Sequence, residues 1–129
     1  MSSYNYQNVS PLQATAGGTI EAFRVVEGTL ASCTAANAIA DLAIGVSLQS
    51  AASGDVISLQ THGIAKITAS AAITAGDEVM VTASGSGKVS TSSGATARSV
   101  GVAMTAAAAD GDIIEVLIQL PNVKGPANS

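Results

Sequence analysis

The feature that most constrains this chain is a pattern it carries twice. Ala16-Gly17-Gly18 precedes an apolar stretch, then Ile44-Gly45-Val46, then Gly54-Asp55-Val56-Ile57. Ala75-Gly76-Asp77 precedes another apolar stretch, then Val100-Gly101-Val102, then Gly111-Asp112-Ile113-Ile114. Gly18 and Gly76 lie 58 positions apart, Gly45 and Gly101 lie 56 apart, and Gly54 and Gly111 lie 57 apart. Such even spacing over most of a 129-residue chain means one supersecondary unit written twice within a single small domain. A duplication of this kind specifies architecture rather than an active site.

Each unit reads as strands. Ile44, Val46 and Leu48 alternate with Gly45, Ser47 and Gln49, the period of a half-buried strand. A turn over 51–55 and a returning strand over 56–60 make a hairpin. Residues 63–69 continue as a strand through Ile64, Ala65 and Ile67. The second unit repeats this with strands over 78–82, 100–104 and 112–120. The last is the clearest: Ile114, Val116, Ile118 and Leu120 share one face, and Ile113, Glu115, Leu117 and Gln119 the other. Apolar residues on both faces predict that this strand is partly covered on both sides. The pairs Gly54/Asp55, Gly76/Asp77 and Gly111/Asp112 fall in the turns, where Gly takes positive φ and Asp accepts local backbone N–H groups. Residues 19–30 read as a strand pair or one bent strand. The Ala-rich 31–43, with Asn37 and Asp41, read as a loop with one helical turn, and 84–88 and 92–94 as loops.

The expected fold is therefore all-β, a small sandwich or barrel of about eight to ten short strands with internal duplication. The expected organisation is an extended N-terminal arm over 1–15, a β domain over 16–121 in two related halves (16–63 and 74–121), and a polar C-terminal tail over 122–129. In the arm, Tyr4, Tyr6, Val9, Pro11 and Leu12 stand among Ser, Asn and Gln. Two tyrosines at i and i+2 share one face of an extended chain, and Tyr suits interfaces because it is rigid and amphipathic. These five are the candidate contacts with a partner.

Composition narrows the function. Five basic residues, Arg24, Lys66, Lys88, Arg98 and Lys124, stand singly, and the net charge is −4. That excludes the clustered Lys/Arg that direct nucleic-acid binding requires. Phe23, Tyr4 and Tyr6 are the whole aromatic set. A core of Ala, Val, Ile and Leu buries little area per residue, at about 25 cal/mol per Å², so stability is expected to come partly from association. The start, Met-Ser-Ser-Tyr-Asn-Tyr-Gln, has neither the basic nor the apolar part of a secretory signal. The best membrane candidate, 35–48, is broken by Asn37, Asp41 and Gly45 and is shorter than the ~20 apolar residues a span needs. A soluble protein made in a cytoplasm is expected, with no membrane partner.

Catalytic equipment is sparse. Cys33 and His62 are the sole cysteine and histidine, too few for a metal site, which needs several converging ligands. Cys33 reads as a small apolar side chain and His62 as a surface residue. No Gly-x-Ser-x-Gly elbow occurs, and Gly85-Ser86-Gly87-Lys88 lacks the spacing of a phosphate loop. Asp55, Asp77 and Asp112 follow Gly at intervals unlike the nine-residue period of calcium-binding β-rolls. No enzyme activity, metal or cofactor is expected.

The strings Ile44-Gly45-Val46-Ser47-Leu48, Gly63-Ile64-Ala65-Lys66-Ile67, Ala75-Gly76-Asp77-Glu78-Val79 and Val100-Gly101-Val102-Ala103-Met104, closed by Gly111-Asp112-Ile113-Ile114-Glu115-Val116, resemble the capsid cement (decoration) proteins of tailed bacteriophages over about 14–120. The resemblance implies a small β-rich module on the outer surface of an expanded phage head, binding the major capsid protein and often forming a homotrimer. It implies a virion location and the arm as a capsid contact. The alternative is a carbohydrate- or surface-binding β module of a phage fibre.

Overall fold

The computed structural model describes residues 12–37, 42–82, 86–92 and 99–120. They form ten strands: β1 (Leu12–Thr15), β2 (Val25–Gly28), β3 (Cys33–Ala35), β4 (Ala43–Ser47), β5 (Val56–Gln60), β6 (His62–Thr68), β7 (Glu78–Val81), β8 (Val89–Thr91), β9 (Ser99–Ala103) and β10 (Ile113–Gln119). No helix occurs among the described residues. The strands lie in two five-stranded sheets, ordered β1-β5-β4-β2-β3 and β6-β10-β9-β7-β8. The second order is the first with every label advanced by five. All strand pairs are antiparallel. A parallel bridge, Ala16 to Cys33 in one sheet and Ala69 to Val89 in the other, joins the outermost strands and curls each sheet toward a barrel.

The duplication extends to individual hydrogen bonds. The Ala16 N–H donates to the Asp55 carbonyl and the Ala69 N–H to the Asp112 carbonyl; Ile20 and Ala51 exchange two bonds, as do Ile73 and Ala107. Both sheets carry a β-bulge at the same place, between Val26 and Glu27 and between Val79 and Met80. Matched residues are 53 positions apart at Ala16/Ala69, 56 at Cys33/Val89 and 57 at Asp55/Asp112. The spacing changes because the β7–β8 connection is three residues longer than the β2–β3 turn and the β9–β10 connection one residue longer than the β4–β5 turn.

That shift corrects one correspondence read from glycines. Gly76 matches Phe23, not Gly18. The Phe23 N–H donates to the Ser47 carbonyl, the Gly76 N–H to the Ala103 carbonyl, and both residues have positive φ, 63° and 97°. One copy holds a glycine in the left-handed region and the other a phenylalanine, a placement that costs about 1–2 kcal/mol. The buried Ser47 secures this loop: its hydroxyl donates to the Glu21 carbonyl at 2.6 Å and accepts the Arg24 N–H at 3.0 Å.

Each half has its own small core on the inner face of its curled sheet. In the first half these residues are Ala14, Ala16, Ile20, Val26, Cys33, Ala51, Ile57 and Leu59. Their matches in the second half, Ile67, Ala69, Ile73, Val79, Val89, Ala107, Ile114 and Val116, are all buried together. The second core also takes in Val25, Ala36, Ala43 and Val46 from the first half. Val25 and Val46 pair across β2 and β4 on the face opposite the first core. Hydrogen bonds stitch this seam. The Thr68 N–H donates to the Phe23 carbonyl, the Val25 N–H to the Gly87 carbonyl, and the Gly87 N–H to the Ala36 carbonyl. Arg24 Nη1 donates to the Ser86 carbonyl and the Ser86 N–H to Asn37 Oδ1.

Two further readings change. Within 31–43, Cys33–Ala35 is a strand, because the short β2–β3 turn returns it onto β2 with Val26 opposite Ala35. Val89–Thr91, unmarked in the sequence, is its counterpart on β7. The sheet also begins before residue 16, since Leu12–Thr15 pair with Leu59–Val56. Residues 1–11 and 121–129 lie outside the described residues.

Gly45 and Gly101 hold matched positions where neighbouring strands approach closely. A Cβ on Gly101 would lie 2.1 Å from the Leu117 carbonyl oxygen, and one on Gly45 would lie 2.7 Å from the Leu59 Cβ. Gly54 has open space but a φ of 91°. Gly101→Ala is expected to cost about 2–3 kcal/mol by overpacking, Gly45→Ala somewhat less, and Gly54→Ala about 1 kcal/mol through backbone strain. Denaturation midpoints of the three variants check this order.

Candidate interaction surface

The three Gly-Asp pairs are turn devices. Gly54, Gly76 and Gly111 have φ of 91°, 97° and 94°. Asp55 Oδ2 accepts the Ala52 N–H at 3.1 Å. Asp77 Oδ2 accepts the Thr74 N–H at 3.3 Å and the Thr91 hydroxyl at 3.2 Å. Asp112 Oδ2 accepts the Ala108 N–H at 2.8 Å and the Ala109 N–H at 3.2 Å. The structure does not bring the three carboxylates together: among the described residues no group of three or more His, Cys, Asp or Glu could hold a metal ion.

Of the arm residues, Leu12 is half-buried on β1 opposite Leu59, packed against the first core. Tyr4, Tyr6, Val9 and Pro11 lie outside the described residues. His62 is exposed at the start of β6, its Nδ1 3.2 Å from the Thr61 hydroxyl. Cys33 is fully buried and occupies the position that Val89 fills in the other half, which makes it a packing residue. Burial pushes its thiol pKa up; its own backbone bond opposes this, and the Glu27 charge adds to it.

Exposed apolar side chains are scattered over the described residues, among them Leu42, Leu48, Val56 and Met104, and three of them stand side by side. Ile64, Leu117 and Val102 are paired directly across β6, β10 and β9, and they are 55%, 46% and 36% exposed. Ile113, 52% exposed, extends the row along β10. Lys66 and Glu115, paired beside it, put one charge of each sign on the same face. Ile113 and Glu115 also line a shallow groove with Lys66 and with Phe23 of the first half. The alternation over 112–120 correctly separates the two faces of β10, one buried and the other about half-exposed. Ile114, Val116 and Ile118 are buried, while Ile113 and Leu117 are 52% and 46% exposed. The signal that could have located this surface is the apolar share of the second face of β10, lying beside Ile64 and Val102 in neighbouring strands.

Twin curled sheets stacked through one seam define a duplicated all-β module. Among solved structures this architecture is shared with the N base of the head fiber gp8.5 of bacteriophage phi29. The likeness has a TM-score of 0.69 at 16% identity and covers 88% of this chain and 97% of that one. No curated protein matches the chain. The model of the phage cement protein family matches residues 6–120, and the chain belongs to that family. Membership gives it a capsid-associated role and a place in the virion. The matched span takes in Tyr6, Val9, Pro11 and Leu12 of the expected contacts and leaves out Tyr4.

Asp112→Ala removes two turn bonds and is expected to cost about 1–2 kcal/mol, more than Asp55→Ala, which removes one. Calcium or a chelator should leave the melting temperature of the wild type unchanged. The raised Cys33 pKa has a definite sign. The unfolded thiol ionises first, so the stability that depends on it is intact below the ordinary value of 9.0. That stability declines above it by up to about 1.4 kcal/mol per pH unit. Cys33→Val should flatten this alkaline decline in a pH series of denaturation midpoints.

Proposed function

We propose that the protein is a structural cement, or decoration, protein that binds the outer surface of an expanded phage head and stabilises contacts between capsomers. Its partners on this reading are the major capsid protein and further copies of itself, as a homotrimer; it carries out no catalysis. The family match over 6–120 carries the reading. The exposed apolar row on β6, β10 and β9 supports it. The residues over 1–11, with Tyr4, Tyr6, Val9 and Pro11, would lie along the capsid protein or add a strand to it.

The mechanism is mass action. A module that binds the expanded lattice and not the unexpanded one favours the expanded state. Many sites on one shell make modest affinity per site sufficient. A second reading, a carbohydrate- or surface-binding β module of a phage fibre, draws on the likeness in fold to a head fiber base. The set of only three aromatic residues weighs against sugar binding, since sugars stack on exposed rings.

Co-sedimentation with heads tests the proposal. The protein is expected to pellet with expanded heads and to remain in solution with unexpanded ones. Decorated heads should keep their DNA to a higher temperature than bare heads, and a chain lacking residues 1–11 should bind more weakly. Equal thermal stability of decorated and bare heads would contradict the proposal.

A further inference from the structure

The chain enters the body beside its open face. β5 and β6 are separated by Thr61 alone. Along this run Asp55 and Ala69 bond on one side, to Ala16 and Asp112, while Ser58 and Thr68 bond on the other, to Leu48 and Phe23. Odd-numbered residues thus face one edge and even-numbered residues the other, and β1 and β10 share the odd-numbered edge. β1 begins opposite Leu59 and β10 ends opposite His62. Only Gln60 and Thr61 separate the two registers, so the segment before Leu12 has no free edge to follow toward β6. The other edge of β6 is closed here as well: Gln60 Nε2 donates to the His62 and Ile64 carbonyls, each at 2.9 Å.

With both edges taken, the segment before Leu12 meets one of the two faces. The inner face is filled by Ala65, Ile67, Val116 and Ile118. The outer face carries Ile64 and Leu117, paired two positions beyond His62 and Gln119, and then Lys66 with Glu115. Val102 flanks Leu117 on β9, and Ile113 ends the row. The lengths agree. Residues 1–11 extended span about 36 Å, and the outer face of β10 from Gln119 to Ile113 is about 20 Å long. Tyr6 stands six positions before Leu12 and Tyr4 eight; Ile64 and Lys66 stand five and seven beyond Leu59. Laid back along β6, Tyr6 reaches the level of Ile64 and Leu117. Tyr4 reaches that of Lys66 and Glu115, where Phe23 lines the groove. The chemistry agrees too. A tyrosine ring is apolar and its hydroxyl polar, and this surface sets apolar side chains beside one charge of each sign. The other terminal segment, 121–129, follows β10 and holds Pro121, Val123 and Pro126 but no aromatic residue.

We propose that residues 1–11 fold back over the outer face of the second half of their own chain, with Tyr6 on Ile64 and Leu117 and Tyr4 in the groove beside Phe23, Lys66 and Glu115. The occupant is the chain's own leading segment because it enters at the end of the row, has the length to cover it and carries both tyrosines. In the first half the second half covers Val46; in the second half the arm covers its match, Val102. The contact belongs to the free protein. The capsid contact proposed above for the same residues requires the arm to lift, which uncovers the row at the same moment. The arm is then a strap that shields the row from water until a partner replaces it. The inference rests on strand register and not on that capsid contact.

Tyrosine emission tests it, because Tyr4 and Tyr6 are the only tyrosines and the chain has no tryptophan. In the purified full chain, without phage heads, acrylamide is expected to quench this emission less than that of free tyrosine amide. Leu117→Asp and Ile64→Asp, both at exposed positions, should each abolish the protection with an unchanged circular dichroism spectrum. Val56→Asp, on the outer face of the first half and 60% exposed, should leave it intact. A spin label on Ser3→Cys, with Cys33 fully buried, identifies the occupant. It should broaden the Ile64 and Leu117 methyl signals of a chain carrying both spin and isotope labels. It should not broaden those of isotope-labelled chains refolded with an excess of spin-labelled ones. Tyrosines as open to quencher as the free amide overturn the proposal. So does protection that survives both row variants or is lost equally in Val56→Asp, absence of broadening within the chain, or broadening between chains, which would assign the row to a second copy's arm. Sedimentation with expanded heads reads the capsid role separately, and a chain whose arm is free in solution yet binds heads leaves that role standing.

Discussion

The seam between the two halves is the interaction on which the rest of the structure depends. Val25 and Val46 lie on the outer face of the first sheet, where water would otherwise meet them, and the second half buries them completely. Backbone groups pair across this seam: Val25 and Ala36 bond Gly87, and Phe23 bonds Thr68. Close approach is possible because residue 87 is glycine. A Cβ there would lie 2.6 Å from the Val25 carbonyl oxygen and 2.7 Å from the Arg24 Cβ. Each half alone has a core of small side chains. Joining them extends the second core by four residues of the first, which is how a chain poor in aromatic residues reaches adequate burial.

The two copies of the unit are alike in backbone and unlike in what their surfaces are for. Phe23 and Gly76 share one left-handed position, but the Phe23 carbonyl accepts the Thr68 N–H across the seam. Ser47 and Ala103 share one buried position, and the serine hydroxyl holds the loop that brings Arg24 to the seam. Val46 and Val102 share one outward-facing position; the first is sealed and the second open. The first copy is thus built to be covered. The second leaves an apolar face exposed.

Most of this fold was legible in the residues. Alternation over 44–48, 56–60 and 112–120 marks strands because one face of each is buried, and the Gly-Asp pairs mark turns because Asp carboxylates bond the N–H groups just before them. The duplication was legible too, but its register was not. Matching glycine to glycine misplaced Gly76, since the left-handed site in the first copy is held by Phe23 through tertiary hydrogen bonds rather than by backbone freedom. Residues 33–35 and 89–91 were missed because three-residue strands carry too little alternation to signal themselves; the strands beside them define them. The candidate surface was the least visible. Ile64, Leu117 and Val102 are far apart in sequence and become one row only through strand order, while Tyr4 and Tyr6 lie outside the described residues.

The halves form one cooperative body through the seam. Native-state hydrogen exchange of the Val25, Thr68 and Gly87 amides tests it most directly. If the seam holds the body together, these amides exchange as slowly as those in the middle of β10, at the free energy of global unfolding. Rapid exchange at the seam, with both sheets still protected, would show two independent units and contradict the claim.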